Sequence, residues 1–463
     1  MPFGSISFLY FFLPLTLGAV LAAPARWRNG LLLLASLFFY AWGAPRFVFA
    51  LVASCALDYL LSILMARSPR RAALACAAGV CGNLALLGFF KLGSALPASA
   101  PTALRIVMPL GLSFVVFQKI SYLVDVRRGA AECARGFGRY LLYIFLFPQL
   151  TLGPIIRYHD MAWQFGDRRV TTEDFLSGLW RVALGLGRKM LVATPLAAVA
   201  DAAFAASASG AGVSCGSAWL GLYAYTLQLY FDFAGYCDIA VGVGRMLGFS
   251  FPENFDAPYI SRDMAEFWRR WHITLGAFMK EYLYIPLGGN RCSKPRALFN
   301  NWFVFLVSGF WHGAAWNFIF WGAWHGFWIM AAKLVGRRGR GEAWTVGGAT
   351  SAALTFLLVA LGWVFFRAET FGEALKFTAA LFGHAGTTAV GATPPFLAAL
   401  VVGTFLSFAP AFVPRLGISD WRLADAAPDW KVWIRTAATA ALIVAATLPL
   451  LTSGFAPFIY NRF

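Results

Sequence analysis

Long uninterrupted apolar stretches recur along the whole length of this 463-residue chain. A hydrocarbon core about 30 Å thick needs roughly 20 apolar residues per helix, so each stretch predicts a membrane-spanning helix. The predicted spans are 6–23, 30–43, 45–66, 72–91, 106–124, 139–156, 175–204, 218–247, 299–316, 317–335, 347–366, 394–413 and 432–451. They correspond to about 11 to 13 membrane helices, some of them short or tilted.

The same pattern excludes other fold classes. The runs are continuous rather than alternating, and they are longer than the roughly 10 residues of a tilted barrel strand. Hydrophobic residues make up 60% of the chain and charged residues only 13%, which excludes a soluble domain of this length. We therefore predict an all-α, polytopic integral membrane protein with amphipathic interfacial helices between some of its spans.

The basic residues predict how the chain crosses the membrane. The net charge is +17, and basic residues cluster in short connections at 26–28, 67–71 and 337–340. The positive-inside rule assigns these connections to the cytoplasm, which leaves the N-terminus outside. The first charged side chain is Arg26, so segment 6–23 lacks a basic start and is interpreted as a retained helix. Membrane lipids, and not nucleic acid, are the expected partners of the basic excess.

Several common reaction sites have no matching pattern in the sequence. The seven cysteines are scattered and include no C-x-x-C, so neither structural disulfides nor a metal site is expected. The phosphate-binding pattern G-x-x-x-x-G-K-[ST] is absent, and GLGRK at 185–189 matches it only in part. A G-x-S-x-G nucleophile elbow is also absent. The sequence therefore favours neither ATP hydrolysis nor a serine acyl-enzyme.

One internal segment, 251–296, is charged, aromatic and too polar to span a membrane. Long connections in compact proteins are usually functional. Apolar residues recur at helical spacing between Phe267 and Tyr282 and predict an amphipathic helix that carries His272. We expect this helix to stop near Pro286, with a turn at 288–290.

Four blocks in one order make the chain similar to a known family. The blocks are MPLGLSFVVFQKISYLVDVRRG (108–129), FPQLTLGPIIRY (147–158), LQLYFDFAGYCDIAVGVGRMLGFSFPENFDAPYISRDMAEFWRRWHITL (227–275), and YLYIPLGGNR through SGFWHGAAWNFIFWGAWHG (282–326). They resemble the membrane-bound O-acyltransferase family, and within it the bacterial branch that acetylates exported polysaccharide. Lys280 and Glu281 stand where family members commonly carry an Arg-Asp pair, and Lys cannot supply the bidentate fork of Arg.

The resemblance implies a particular architecture and reaction. We expect a single membrane-embedded domain over 1–463 with a transmembrane tunnel, core motifs at 108–326 and less constrained helices at 345–463. The resemblance implies a cytoplasmic acyl thioester as donor, such as acetyl-CoA, with no other bound cofactor. It implies an acceptor on the far side of a bacterial inner membrane, either a polysaccharide or an extracytoplasmic acetyltransferase that completes the transfer.

The resemblance also implies an essential catalytic histidine, His312 in the W-H-G block, and a second candidate, His272 in the R-W-H block, which orients an acyl group, relays a proton or only anchors its helix. Transfer of an acetyl group to a hydroxyl needs a base, and a neutral imidazole suits that task. The run 297–332 holds no charged residue, and ionisable residues inside membranes are usually functional. Asn301, about 16 Å along the helix from His312, is a candidate to line the same tunnel, with an interhelical hydrogen bond as the open alternative. Further expected substrate contacts are Trp268, Trp271 and Trp311.

A second W-H-G triplet contains His325, 13 residues after His312. On one unbroken helix the two side chains would differ in direction by about 220°, so we interpret His325 as a packing residue. Asp232 and Asp238 are six residues apart and are not expected to act as a pair of catalytic acids. As buried carboxylates they need cations, for which the sequence offers three arginines: Arg245, Arg269 and Arg270.

From the sequence alone, two alternatives to polysaccharide acetylation remain open. One is acylation of another acceptor, such as D-alanylation of teichoic acid or acylation of peptidoglycan, a lipid or a protein. The other is a transporter or flippase that uses the intramembrane histidines along a permeation path. A transporter would lose activity when a transmembrane gradient is dissipated, whereas an acyltransferase would make a covalent product.

Overall fold

The computed structural model describes residues 3–94, 108–109, 111–150, 153–166, 168–209, 211–335, 346–383, 386–413 and 429–453. Helices dominate these ranges, which contain isolated β-bridges but no β-strand. The α-helices are α1 (Leu13–Ala22), α2 (Ala25–Gly43), α3 (Val48–Arg67), α4 (Pro69–Ser94), α5 (Leu112–Arg128), α6 (Phe137–Phe145), α7 (Tyr158–Met161), α8 (Thr172–Gly187), α9 (Thr194–Ala208), α10 (Cys215–Met246), α11 (Met264–Arg270), α12 (Ile273–Met279), α13 (Lys294–His312), α14 (Trp316–Val335), α15 (Val346–Arg367), α16 (Phe371–Leu381), α17 (Pro394–Phe408) and α18 (Asp429–Ser453). The predicted all-α class is confirmed.

Among the described residues, six helices are long and apolar enough to cross a membrane. They are Pro45–Arg67, Pro69–Ser94, Thr172–Ala208, Gly347–Arg367, Pro394–Ala411 and Asp429–Thr452. The shorter apolar helix Ser7–Ala22 coincides with the first predicted span. A multi-pass membrane protein is confirmed. The larger predicted number of spans includes helices such as α10 and α14, which are long enough but do not meet the combined criterion of length and apolar composition.

Span 139–156 was predicted wrongly as one membrane helix. Helix α6 ends at Phe145, and its nine residues extend only about 13.5 Å. The chain then turns, and the Gln149 side-chain amide donates to the Tyr143 carbonyl at 2.5 Å. Pro148 lies in this turn, and a proline lacks the backbone N–H that a continuing helix would need. Apolar composition alone did not reveal this ending.

The described chain divides into two compact units, each made of segments that are separate in sequence. Unit 1 comprises Met1–Val182, Cys237–Pro252 and Arg422–Thr439. Unit 2 comprises Ala183–Tyr236, Glu253–Trp421 and Ala440–Phe463. Both predicted catalytic histidines belong to unit 2. The prediction of one domain over 1–463 stays a prediction.

Helices α13 and α14 form a tight antiparallel hairpin in unit 2. Their backbones approach closely where glycines face the opposite helix. A Cβ added at Gly309 would lie 2.3 Å from the Phe318 carbonyl oxygen, and one at Gly322 would lie 2.3 Å from the Phe305 carbonyl oxygen. Small residues at such crossings let membrane helices pack against each other. This hairpin carries both W-H-G triplets.

The glycine contact predicts a stability effect. We expect Gly322→Ala to lower the free energy of unfolding by about 1–3 kcal/mol, because the opposing atom is backbone and cannot rotate away. Gly82→Ala in α4 is the matched control, since an added Cβ there meets nothing within 4 Å. Denaturant unfolding in detergent micelles measures both variants. Equal stability of the two variants would contradict the close crossing.

Candidate functional site

The polar segment 251–296 folds as two short helices rather than one. Helix α11 ends at Arg270, α12 begins at Ile273, and a π-helical turn follows over Lys280–Tyr284. His272 lies between α11 and α12 with φ of 47°, in the left-handed region that non-glycine residues seldom adopt. The prediction of one continuous amphipathic helix was therefore wrong, although its turn near Gly288 is present.

Asn254 explains why the helix breaks at His272. Its side-chain oxygen accepts hydrogen bonds from the Thr274 backbone N–H at 3.1 Å and from the Thr274 hydroxyl at 2.9 Å. Its backbone carbonyl accepts from the Ile273 N–H at 3.0 Å. These bonds satisfy the first donors of α12 from another part of the chain. The signal is an asparagine 18 residues before His272, which helical periodicity does not detect.

His272 is held as a buried, oriented ring. Its Nδ1 lies 3.1 Å from the Asn254 Oδ1, and since that oxygen only accepts, Nδ1 carries the proton. Its ring meets Phe233 edge-on at a centroid distance of 4.8 Å. Burial lowers the pKa of the His272 imidazole to about 3, so the ring is neutral at physiological pH. Since the pKa in an unfolded chain is about 6.5, this burial costs stability as the pH falls below about 6.5.

Loss of the Asn254 side chain is therefore expected to disturb this turn. Asn254→Ala should lower the free energy of unfolding by about 1–3 kcal/mol, because buried donors on His272 and Thr274 lose their acceptor. It should also slow acyl transfer if His272 acts in the site. Asn300→Ala is the matched control, since Asn300 is a buried amide of the same unit that donates to the Leu287 carbonyl at 3.0 Å. Equal transfer rates in the two variants would contradict a role for the turn in the reaction.

His312 is the last residue of α13, and the chain reverses immediately after it. Gly313 has no room for a side chain, since an added Cβ would lie 2.3 Å from the Phe318 ring. The His312 ring is 5% exposed and lies against the rings of Trp311, Trp321 and Phe366 at centroid distances of 4.6, 5.1 and 5.2 Å. A reacting imidazole in this position is surrounded by aromatic carbon rather than by water.

The reversal changes the relation between the two W-H-G triplets. The condition of one unbroken helix is not met, because α13 ends at His312 and α14 begins at Trp316, in keeping with the separate spans predicted at 299–316 and 317–335. As a result, the Trp321 ring contacts both imidazoles, with centroid distances of 5.1 Å to His312 and 5.0 Å to His325. His325 is completely buried. Its role as a packing residue stays a prediction, and it lies within the same ring cluster as His312.

We call Trp268, Trp271, Trp321, Trp363 and Phe366 the aromatic cluster. Trp268 meets Trp321 at 5.6 Å, and its indole N–H donates to the His325 Nδ1 at 3.3 Å. Trp271 meets Trp363 at 5.0 Å. Two of the predicted substrate contacts, Trp268 and Trp271, therefore belong to the cluster, and Trp311 lies beside His312. The sequence analysis did not identify Trp363 and Phe366. Both lie on α15, in a stretch whose sequence indicates only an apolar span.

Asn301 lies elsewhere on α13. Its side-chain amide donates to the Tyr284 hydroxyl at 3.0 Å, and that hydroxyl donates to the Asn290 side chain at 2.6 Å. Because α13 is continuous from Asn301 to His312, the expected separation of about 16 Å along the axis is retained. Its role in substrate binding stays a prediction, and its side chain contacts the Tyr284 turn.

The buried carboxylates of Asp232 and Asp238 pair with cations that the sequence analysis did not suggest. Within unit 2, Asp232 pairs with Lys189 at 2.5 Å. Within unit 1, Asp238 pairs with Arg181 at 2.7 Å. Arg270, one of the partners considered, instead contacts Glu266 at 3.0 Å and also Asp256. Each aspartate therefore has its own partner on α8 or the π-helical turn after it, as expected of structural groups.

Comparison with known proteins gives consistent matches. The model of the membrane-bound O-acyltransferase family matches residues 136–368. A probable alginate O-acetylase from Pseudomonas syringae pv. tomato is 40% identical over 82% of this chain and 75% of its own length. A probable alginate O-acetylase from Pseudomonas putida is 37% identical over the full length of both chains. A peptidoglycan O-acetyltransferase from Helicobacter pylori is 34% identical over 83% of this chain and 80% of its own.

Proposed function

Because this chain belongs to the membrane-bound O-acyltransferase family, we propose that it acetylates an exported, alginate-like polysaccharide. The chain is a multi-pass membrane protein and an O-acyltransferase. The observation that carries the site assignment is the position of His312, a buried imidazole at the end of α13 enclosed by aromatic rings. We assign His312 as the base of the reaction.

The reaction follows from this geometry. An acceptor hydroxyl oxygen attacks the thioester carbon, and His312 takes the hydroxyl proton as the new C–O bond forms. The tetrahedral intermediate then expels the thiolate, which receives the same proton. The products are an ester and a free thiol. Enclosure by aromatic side chains keeps water away from the thioester and so favours transfer over hydrolysis.

His272 is assigned to the same site as a second functional histidine. Its Nδ1 is held by Asn254, so the ring presents a fixed orientation. Trp268, Trp271 and Trp311 are proposed to contact the acyl donor or the acceptor, and Asn301 to line the path that leads to His312. The donor is proposed to be acetyl-CoA or a similar acyl thioester reached from the cytoplasm.

The proposed setting is the bacterial inner membrane. The acceptor lies on its far side and is either the polysaccharide or an extracytoplasmic acetyltransferase that completes the transfer. The similarity to a peptidoglycan O-acetyltransferase supports a second acceptor class. Identity is higher to the probable alginate O-acetylases, which favours the polysaccharide.

The proposal is tested with membrane vesicles whose cytoplasmic face is outward and that contain the chain and a polysaccharide acceptor. Acetyl-CoA labelled in the acetyl group is added outside, and esterified label is counted after base release. We expect ester formation that persists when an uncoupler dissipates the proton gradient. Label that enters vesicles without forming an ester, and only while the gradient is present, would identify a transporter and overturn the proposal. Vesicles loaded with peptidoglycan fragments test the second acceptor.

A further inference from the structure

Two indole N–H groups of the aromatic cluster are buried without a hydrogen-bond acceptor among the described residues. They belong to Trp321 and Trp363, which are 1% and 0% exposed. Their rings lie 6.0 Å apart and are nearly parallel, with an interplanar angle of 21°. A buried tryptophan usually finds a partner for its N–H, so two orphaned donors in contact are unusual.

The indole N–H of Trp268 is a third donor near these two groups, and its contact with His325 shows which nitrogen of that imidazole carries the proton. Trp268 can only donate, so the His325 nitrogen that it contacts, Nδ1, is an acceptor and Nε2 carries the ring proton. That Nε2 also lacks an acceptor in the described part of the chain. However, a Cβ added at Gly362 would lie 2.7 Å from it, so α15 covers this nitrogen. The donors that remain as candidates are the indole N–H groups of Trp321 and Trp363.

The cost of these groups, together with their position beside His312, makes them candidates to bind an acceptor. Each buried N–H without a partner destabilises a fold by about 1–3 kcal/mol, and the penalty disappears when an oxygen acceptor arrives. The Trp321 ring lies 5.1 Å from the His312 ring, and Trp363 meets Phe366, which also lies against His312, at 5.6 Å. The donors therefore adjoin the base on which the proposed function rests.

We propose that the indole N–H groups of Trp321 and Trp363 bind the acyl carbonyl oxygen and stabilise the oxyanion. When the acceptor oxygen adds to the thioester carbon, the carbonyl π electrons move onto the oxygen. The two indole N–H dipoles stabilise that developing charge in a site poor in water. The carbonyl re-forms as the thiolate leaves with the proton from His312. This assignment makes Trp321 and Trp363 catalytic residues, with His325 positioning Trp321.

An isosteric replacement isolates the N–H from the packing. β-(3-Benzothienyl)alanine, inserted by stop-codon suppression, replaces the indole N–H with sulfur and keeps the shape of the ring. At Trp321 we expect kcat to fall by about 10² to 10³-fold, the loss typical of one oxyanion donor, with an unchanged KM for acetyl-CoA. At Trp363 we expect a fall in the same direction. Melting temperature and membrane yield should not fall below those of the parent chain, since sulfur removes a buried donor that has no acceptor.

Trp328 is the matched control. It lies two turns further along α14, its N–H also lacks an acceptor among the described residues, and it contacts Trp324 and Phe327 rather than the cluster. The same replacement there should leave kcat unchanged. Parental kcat in the Trp321 and Trp363 replacements, or a loss equal to that at Trp328, would overturn the inference.

Failure of the oxyanion assignment can be distinguished from failure of the proposed function. If His312→Ala abolishes ester formation while the Trp321 replacement keeps the parental kcat, only the oxyanion assignment fails. If His312→Ala keeps its activity, the assignment of His312 as the base fails first. Trp321→Phe provides a second variant, which also loses the N–H and is expected to show the same reduced kcat.

Discussion

Replacement of His312 by alanine is expected to abolish measurable acetyl-ester formation, because it removes the group that takes the acceptor proton. General-base catalysis typically contributes about 10² to 10⁴ in rate, so the loss should appear in kcat. The His312 ring contacts Trp321 and Phe366, and its removal also leaves a cavity beside them. His312→Asn fills part of that cavity with a side chain that is no base at neutral pH, and it should be equally inactive.

His159→Ala is the matched control for this experiment. His159 belongs to unit 1, and its Nδ1 lies 3.0 Å from the Asp125 carboxylate. We expect this variant to insert at normal levels and to keep its rate of ester formation. Quantitative blotting of the membrane fraction and label counting measure both variants. Normal ester formation by His312→Ala protein would rule out His312 as the base.

The hydropathy pattern predicts helices well because the constraint is local. A bilayer demands backbone hydrogen bonds within each spanning segment, so apolar composition and length are enough to place most spans. The failures occur where a distant residue or a proline ends the helix. The end of α6 before Pro148 and the break at His272, caused by Asn254, are of this kind. A short amphipathic helix, α16, was missed because it is neither long nor uniformly apolar.

The site was only partly predictable for a related reason. His312 and His272 stand out as polar residues in motifs, whereas Trp321 and Trp363 look like ordinary apolar membrane residues. Their importance depends on burial and on an N–H without an acceptor, which only three-dimensional packing reveals. The reversal after His312 also turned two sequence-distant triplets into one cluster. A helical-wheel calculation could not detect this, because it assumes a continuous helix.

Lys189 also shows that sequence alone does not reveal which residues pair in the folded protein. In the sequence it belongs to GLGRK, a partial match to a phosphate-binding loop. In the structure it lies in the π-helical turn Arg188–Ala193, where its ammonium pairs with Asp232. A close helix crossing supports the pair, since a Cβ at Gly235 would lie 2.7 Å from the Gly185 carbonyl oxygen. The residue is therefore explained by a buried ion pair.

Breaking this ion pair is expected to have the largest effect on stability. Asp232→Leu should lower the free energy of unfolding by about 3–5 kcal/mol, because the Lys189 ammonium loses its carboxylate in a buried site. The double variant Lys189→Met/Asp232→Leu removes both charges and should recover most of that loss, since apolar pairs of similar volume often replace buried ion pairs without cost. Unfolding in mixed micelles measures the single and double variants.

The double variant also tests whether the pair serves structure alone. If it does, the double variant should form acetyl ester at nearly the parental rate while Asp232→Leu fails for lack of folded protein. A stable double variant that cannot form ester would instead assign Lys189 and Asp232 to the reaction path. A double variant as unstable as the single one would contradict the charge argument, because it would show that shape and not ionic pairing holds α10 to the π-helical turn.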